Sequence, residues 1–192
     1  RLERVSKALN LDSRPFVYMQ ISGPAQSKTH FSRTAIEAVS EIATDYNVVV
    51  SLGIPNGSTE ARRIANGGWV YEWCPIKNEL FELSSLLVAR AGHTTIGQCV
   101  DSGKPAVLVP IYNHSEQIWN ADKFSKMGLG LSIRSEQLTR QRLVECVKQC
   151  LTDPAYKVNA ARIQEVSRRY DGLGNASRII NYYVERSVEK QR

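Results

Sequence analysis

Residues 86–121 constrain the fold of this chain more than any other stretch. An apolar run, Leu86 to Ala89, stops at Arg90. The small-residue turn Ala91-Gly92-His93-Thr94-Thr95 then opens a helix that should close near Gly103. A second apolar run, Ala106 to Val109, leads into a polar loop from Tyr112 to Gln117. Strand, helical crossover and strand in that order imply parallel pairing, because parallel neighbours need a long connection. Ligands of such open sheets collect outside the carboxyl ends of the strands. The turn at 91–95 adds bare backbone N–H groups, two hydroxyls and an arginine at a helix N-terminus. There the unpaired amides and the positive end of the helix dipole both favour phosphate.

The rest of the chain repeats the alternation. Phe16 to Ile21 reads as a buried strand broken by Ser22-Gly23-Pro24, and positions 31, 35, 38, 39, 42 and 46 mark one helical face. Val48 to Leu52 is a second strand. Ile54 to Gly68 is rich in turns, with a short helix expected around 61–65. Trp69 to Trp73 is a third strand stopped by Cys74-Pro75, and Asn78 to Ser84 a brief helix. Ser115 to Met127 is helical up to Gly128, and Leu129 to Ile133 forms the sixth strand. Helices then fill the tail, broken at Asp153-Pro154 and Asp171-Gly172. The fold class is therefore α/β, a Rossmann-like doubly wound parallel sheet with C-terminal helices. Its organisation is a polar lead-in at 1–14, a ligand-binding domain at 15–152 and C-terminal helices at 153–192.

Hydrophobic residues make up 42% of the chain, which supports a packed core and excludes a disordered one. The net charge of +6 favours anionic partners, but the basic residues are dispersed without runs, which argues against nucleic acid. Cys74, Cys99, Cys146 and Cys150 form no CxxC pair and complete no zinc spacing, so a reducing cytoplasm fits. No signal peptide or apolar stretch near membrane-spanning length is found. The chain opens at Arg1 without an initiator methionine, which suggests processing or a piece of something longer.

Several chemistries are excluded by their motifs. GxGxxG, GxxxxGK[ST] and GxSxG are missing, and so is Asp-x-Asp, the paired carboxylate that would hold a divalent metal on a diphosphate. What is present is a register: Trp73-Cys74-Pro75, Gly92-His93-Thr94-Thr95, Gln98, Gly103-Lys104-Pro105, Pro110, Glu116-Gln117 and Asn120-Ala121. In this register the chain resembles the donor-binding C-terminal half of glycosyltransferases with the two-domain GT-B architecture. It is most similar to the families of the bacterial lipid II-forming N-acetylglucosaminyltransferase and of the UDP-glycosyltransferases, over roughly residues 15–185.

That resemblance implies a set of roles. Trp73 would stack on uracil, and the Cys74 backbone would bond its edge. Arg90, Gly92, His93, Thr94 and Thr95 would hold the diphosphate, with Arg90 offering paired donors to phosphate oxygens. Gln98 would meet the ribose hydroxyls, although most relatives carry glutamate there and glutamine has a single acceptor oxygen. Glu116 and Gln117 would read the transferred sugar. Ser22-Gly23 matches the first family loop loosely, and Pro24 removes an amide from it.

The implied activity is inverting transfer of a hexose from a UDP-sugar, with no cofactor and no metal. Charge growing on the β-phosphate would be met by Arg90 and the helix N-terminus. The base that deprotonates the acceptor belongs to an N-terminal acceptor-binding domain, or to a separate subunit. That absent half would also make any peripheral membrane contact. Two other readings stay open. One is a non-catalytic nucleotide-sugar-binding module, consistent with Gln98. The other is a sugar-nucleotide epimerase or hydrolase, for which His93, His114 and Glu116 are the available acids or bases.

Overall fold

A computed structural model describes residues 1–64 and 67–189, with side chains up to 186. Its strands are β1 (Phe16–Gln20), β2 (Asn47–Ser51), β3 (Arg62–Ile64), β4 (Gly68–Tyr71), β5 (Leu86–Ala89), β6 (Ala106–Leu108) and β7 (Gly130–Ser132). They form one sheet in the order β3-β4-β2-β1-β5-β6-β7. Every pairing is parallel except β3 with β4. β1 lies at the centre, with Val17 to Gln20 matched to Leu86 to Ala89 on one side and Phe16 to Gln20 to Asn47 to Ser51 on the other.

The strands are apolar on both faces because helices cover both. The helices are α1 (Leu2–Ala8), α2 (Ala25–Ile42), α3 (Lys77–Leu83), α4 (His93–Ser102), α5 (Ser115–Lys126), α6 (Arg140–Thr152), α7 (Pro154–Ser167) and α8 (Gly172–Glu189). Alternate side chains of β1 separate the two cores, as a period of two requires. Val17, Met19 and Ile21 pack with Phe31, Ala35, Val39 and Ile42 of α2 and with Leu143, Val147 and Cys150 of α6. Phe16 and Tyr18 pack with Leu80, Cys99, Ala121, Phe124 and Ala160 from the helices of the other face. All four cysteines are buried and free.

Local chemistry sets the helix boundaries. Gly103 adopts φ 60° after α4, and Gly128 adopts φ 68° after α5, the left-handed stop that glycine permits without strain. Asp153 ends α6 and caps α7, its Oδ1 accepting from the Ala155 amide at 2.9 Å with Pro154 at the first helical position. α7 is held on α4 through Gln164 and Ser167, which both donate to Asp101.

Three elements depart from the sequence reading. The lead-in is helical: Leu2, Val5 and Leu9 share a face, Val5 and Leu9 are buried, and the Leu9 carbonyl accepts from Trp69 Nε1 at 2.7 Å. So few anchors in a charged segment read as polar. The helix expected at 61–65 is instead the edge strand β3, in register Arg62↔Val70 and Arg63↔Trp69; position 65 lies outside the described residues. Pairing with β4 overrides local propensity there. Finally, α2 starts six residues before Phe31, because its first turns are solvent-exposed and carry no apolar period.

Candidate functional site at the strand-order reversal

The chain runs outward from β1 in both directions, so the order reverses between β1 and β5. A doubly wound sheet binds its ligands in the crevice outside such a reversal. The two lips here are residues 21–27, leading from β1 into α2, and residues 90–95, leading from β5 into α4.

The α4 lip is open. Gly92 caps the helix with extended backbone, φ −70° and ψ 151°, and no side chain caps it in turn. The first intrahelical bond runs from the Ile96 amide to the Gly92 carbonyl at 3.0 Å. The amides of His93, Thr94 and Thr95 precede it and so have no carbonyl of their own helix to reach. No acidic residue occupies the first turn, and a Cβ at Gly92 would meet no atom within 4 Å. The result is an uncovered ring of donors at the positive end of a helix, the arrangement that binds anions.

Arg90 is placed differently from its sequence-based role. It was expected on phosphate oxygens, yet it is 3% exposed, with its guanidinium stacked 4.8 Å from the Phe31 ring centroid. Nη1 donates to the Val109 carbonyl at 2.8 Å and the Pro110 carbonyl at 3.3 Å, and Nη2 donates to the Ser27 carbonyl. Nε has no partner among the described residues. Burial pulls its pKa down to about 10, so it stays protonated at neutral pH. The charge lies under the crevice floor with its terminal donors facing carbonyls.

The third flank is the loop after β6. Gln117, expected to read a sugar, is 9% exposed, and its Oε1 accepts from the Ile111 amide at 3.1 Å. It therefore shapes the 110–112 loop. Glu116 is exposed, and its Oε1 accepts from Asn120 Nδ2 at 3.1 Å. The same Nδ2 donates to the Ala91 carbonyl at 3.0 Å. Asn120 thus couples the carboxylate of Glu116 to the α4 turn. The sequence supplied this asparagine only as part of a register; its two-way contact joins residues 29 apart and has no local signature. His114 caps α5, with Nδ1 accepting from the Gln117 amide at 3.5 Å. Lys104, from the Gly-Lys-Pro element, is turned inward onto the Ser84 carbonyl and the Phe81 ring.

Trp73 and Cys74, expected from the sequence at a nucleobase, follow β4. Trp73 follows β4 in a bend and is 47% exposed. Its segment is stapled down: the Trp73 amide donates to the Ser58 carbonyl at 3.0 Å, and the Ser58 amide donates to Glu72 Oε2 at 2.8 Å. From there the chain turns back over the sheet, so the buried Cys74 thiol lies beside the Tyr18 hydroxyl on β1, the strand next to β5. Burial raises the pKa of that thiol. Gln98, exposed on α4, lines a 480 Å³ hollow with Asn78, Phe81 and Glu82 of α3. Trp73, Gly92 to Thr95 and Glu116 thus follow the carboxyl ends of β4, β5 and β6, whereas the hollow lined by Gln98 is shared with Asp101, Ser102 and Lys104 at the far end of α4.

The sequence matches the glycosyltransferase family 28 C-terminal domain over residues 21–174. The chain belongs to that family. Among relatives of this family 28 domain, an N-acetylglucosamine transferase of Clostridium perfringens is 26% identical over 182 residues, covering 93% of this chain and 50% of the relative. Its full description is UDP-N-acetylglucosamine–N-acetylmuramyl-(pentapeptide) pyrophosphoryl-undecaprenol N-acetylglucosamine transferase. An uncharacterized glycosyltransferase of Methanopyrus kandleri is 33% identical over 104 residues, 53% of this chain and 28% of the relative. The crystal structure of the kitacinnamycin glycosyltransferase superposes on the family 28 domain with a TM-score of 0.74 at 21% identity, covering 88% of this chain and 43% of that one. The fold is thus that of GT-B glycosyltransferases. The chain spans half or less of the length of the curated relatives just described. Among the described residues no helix is long and apolar enough to cross a membrane.

Proposed function

We propose that this domain binds the nucleotide-sugar donor, a UDP-sugar, for inverting glycosyl transfer that needs no metal. The observation that carries the reading is the α4 N-terminus: three unpartnered amides and open space at Gly92, in the crevice of the strand-order reversal of a family 28 domain. The diphosphate would rest on the amides of His93 to Thr95. Trp73 would stack on the uracil with the Cys74 backbone at its edge, Gln98 would meet the ribose, and Glu116 would accept from sugar hydroxyls.

As the bond from the anomeric carbon to the β-phosphate oxygen breaks, negative charge accumulates on the leaving diphosphate. Fixed amides stabilise that charge without reorganising. The acceptor and the base that deprotonates it are assigned to an N-terminal domain or partner subunit. α8 presents Leu173, Ile179, Ile180 and Val184 to solvent, an apolar surface suited to packing against such a domain.

The test is calorimetric titration of this chain with UDP, UDP-N-acetylglucosamine, UDP-glucose, GDP and dTDP, with and without EDTA. Uridine-selective binding that survives EDTA is expected. Selectivity for another base, or loss of binding in EDTA, would sink the reading. A non-catalytic binding module is favoured by one observation, glutamine at position 98; it predicts UDP-sugar binding with no transfer when the acceptor half is supplied.

A further inference from the structure

We propose that Arg90 is a positioning residue: it locks the two lips of the crevice to each other and holds the sugar-facing loop in register, without itself contacting the ligand. The argument starts from what the side chain touches. Its three carbonyl partners belong to two segments far apart in sequence, Ser27 in the first turn of α2, and Val109 and Pro110 at the exit of β6. β5, which carries Arg90, lies between β1 and β6 in the sheet. One guanidinium therefore spans three neighbouring strand exits. Its planar fork suits this, because donors fixed in one plane can serve carbonyls on opposite sides at little entropic cost.

Two further contacts lie across the same gap. A Cβ on Gly23 would come within 3.2 Å of Ile111 Cδ1, so the β1 lip lies close beside the β6 loop. The Phe31 ring stacks on the guanidinium and ties it to the body of α2. No carboxylate pairs with Arg90 among the described residues. Among the described residues its hydrogen-bond acceptors are all backbone carbonyls, so the lock depends on the positions of those backbones. Arg90→Lys keeps the charge and loses the fork; Arg90→Met loses both.

The lock is tested without ligand by hydrogen–deuterium exchange on this chain. In the free protein the amides of Ser27, Ile111 and His114 are hydrogen-bonded. Both Arg90→Lys and Arg90→Met should accelerate exchange at all three together, by about tenfold or more, while α6 amides stay unchanged. Phe31→Leu, which removes the stacked ring and keeps a buried apolar side chain, should give a smaller rise at the same amides with α6 amides again unchanged, and it keeps the test decisive should the arginine variants fail to fold. Acceleration at one lip alone, or at neither, overturns the lock.

A second arm rests on the donor-site reading. The gain in affinity from UDP to UDP-N-acetylglucosamine should shrink by about threefold or more in both arginine variants, because the β6 loop leads to Glu116. Uridine affinity should stay within about twofold, since Trp73 is tied to a different loop. A direct phosphate ligand would instead give a UDP loss in Arg90→Met that Arg90→Lys restores, and that result also overturns the proposal. Absence of UDP binding by the unaltered chain defeats the donor reading alone and leaves the exchange result to decide the lock.

Discussion

Two helices start at the same crevice and present it with opposite faces. α4 opens with Gly92, free amides and empty space above its first turn. α2 opens with Pro24, which has no amide, and its Ser27 amide and hydroxyl both donate back to the Pro24 carbonyl. The Ser27 carbonyl on that lip is occupied by Arg90. A helix N-terminus attracts anions only while its donors are free. The two ends therefore differ in degree: the amides of Ala25 and Gln26 precede the first bond of α2, against three amides at α4, where Gly92 also leaves open space. The same contrast gives a physical meaning to Ser22-Gly23-Pro24, whose poor match to a phosphate loop suits a segment that braces the crevice.

The contrast breaks most directly at Gly92. Gly92→Ala fits the extended backbone, places a Cβ that meets no protein atom within 4 Å and intrudes on the space above the amides. UDP affinity should fall on the order of a hundredfold with little change in melting temperature; calorimetry beside a thermal melt reads both, and unchanged affinity would leave α4 without its assigned role. Gly23→Ala should do the reverse. At φ 110° and 3.2 Å from Ile111 Cδ1, a side chain there costs about 1–2 kcal/mol in urea unfolding, while UDP affinity changes less than tenfold.

Trp73→Ala should weaken UDP by about tenfold through lost stacking. Its exposure keeps the stability change within about 0.5 kcal/mol, and an equal loss for inorganic pyrophosphate would show that the ring is not reading the base. Raising the pH should weaken both cores, the one that holds α4 through Cys99 and the one that holds α2 through Cys150. Burial pushes the Cys99 thiol of α4 from 9.0 up to about 12, so between those values the unfolded chain loses the proton first. Stability then falls as pH rises above 9, by about 1.4 kcal/mol per pH unit for that group. Cys99→Ala should flatten the fall in melts taken between pH 8 and 10.5. The smallest effect is expected from Gln98→Glu, which adds a second acceptor for the ribose hydroxyls and should tighten UDP by about threefold.

How far the sequence could be read depended on whether the deciding contacts were local. β5, α4 and β6 were legible because apolar runs, a glycine turn and a helical period lie in direct succession. The open α4 turn was legible for the same reason, since Gly92 and the residues after it create it among themselves. The burial of Arg90 was not legible, because it depends on a carbonyl 63 residues upstream and a ring on α2. Gln117 and Asn120 share that difficulty, being polar residues whose partners are backbone atoms brought close by the sheet. β3 was hidden for another reason. A three-residue edge strand with two arginines has neither period nor hydrophobicity to announce it.

Those two arginines have a consequence for how the molecule behaves in company. β3 is the only antiparallel strand among those described and forms one margin of the sheet, with Arg62 and Arg63 exposed and Arg63 lying 5.4 Å over the Trp69 ring. A bare margin offers unpaired backbone groups on which another copy can polymerise. Paired cations there repel an approaching copy, and the opposite margin, β7, is only three residues long. Exchanging both arginines for valine would leave the crevice untouched and turn a self-limiting sheet into a template for fibrils.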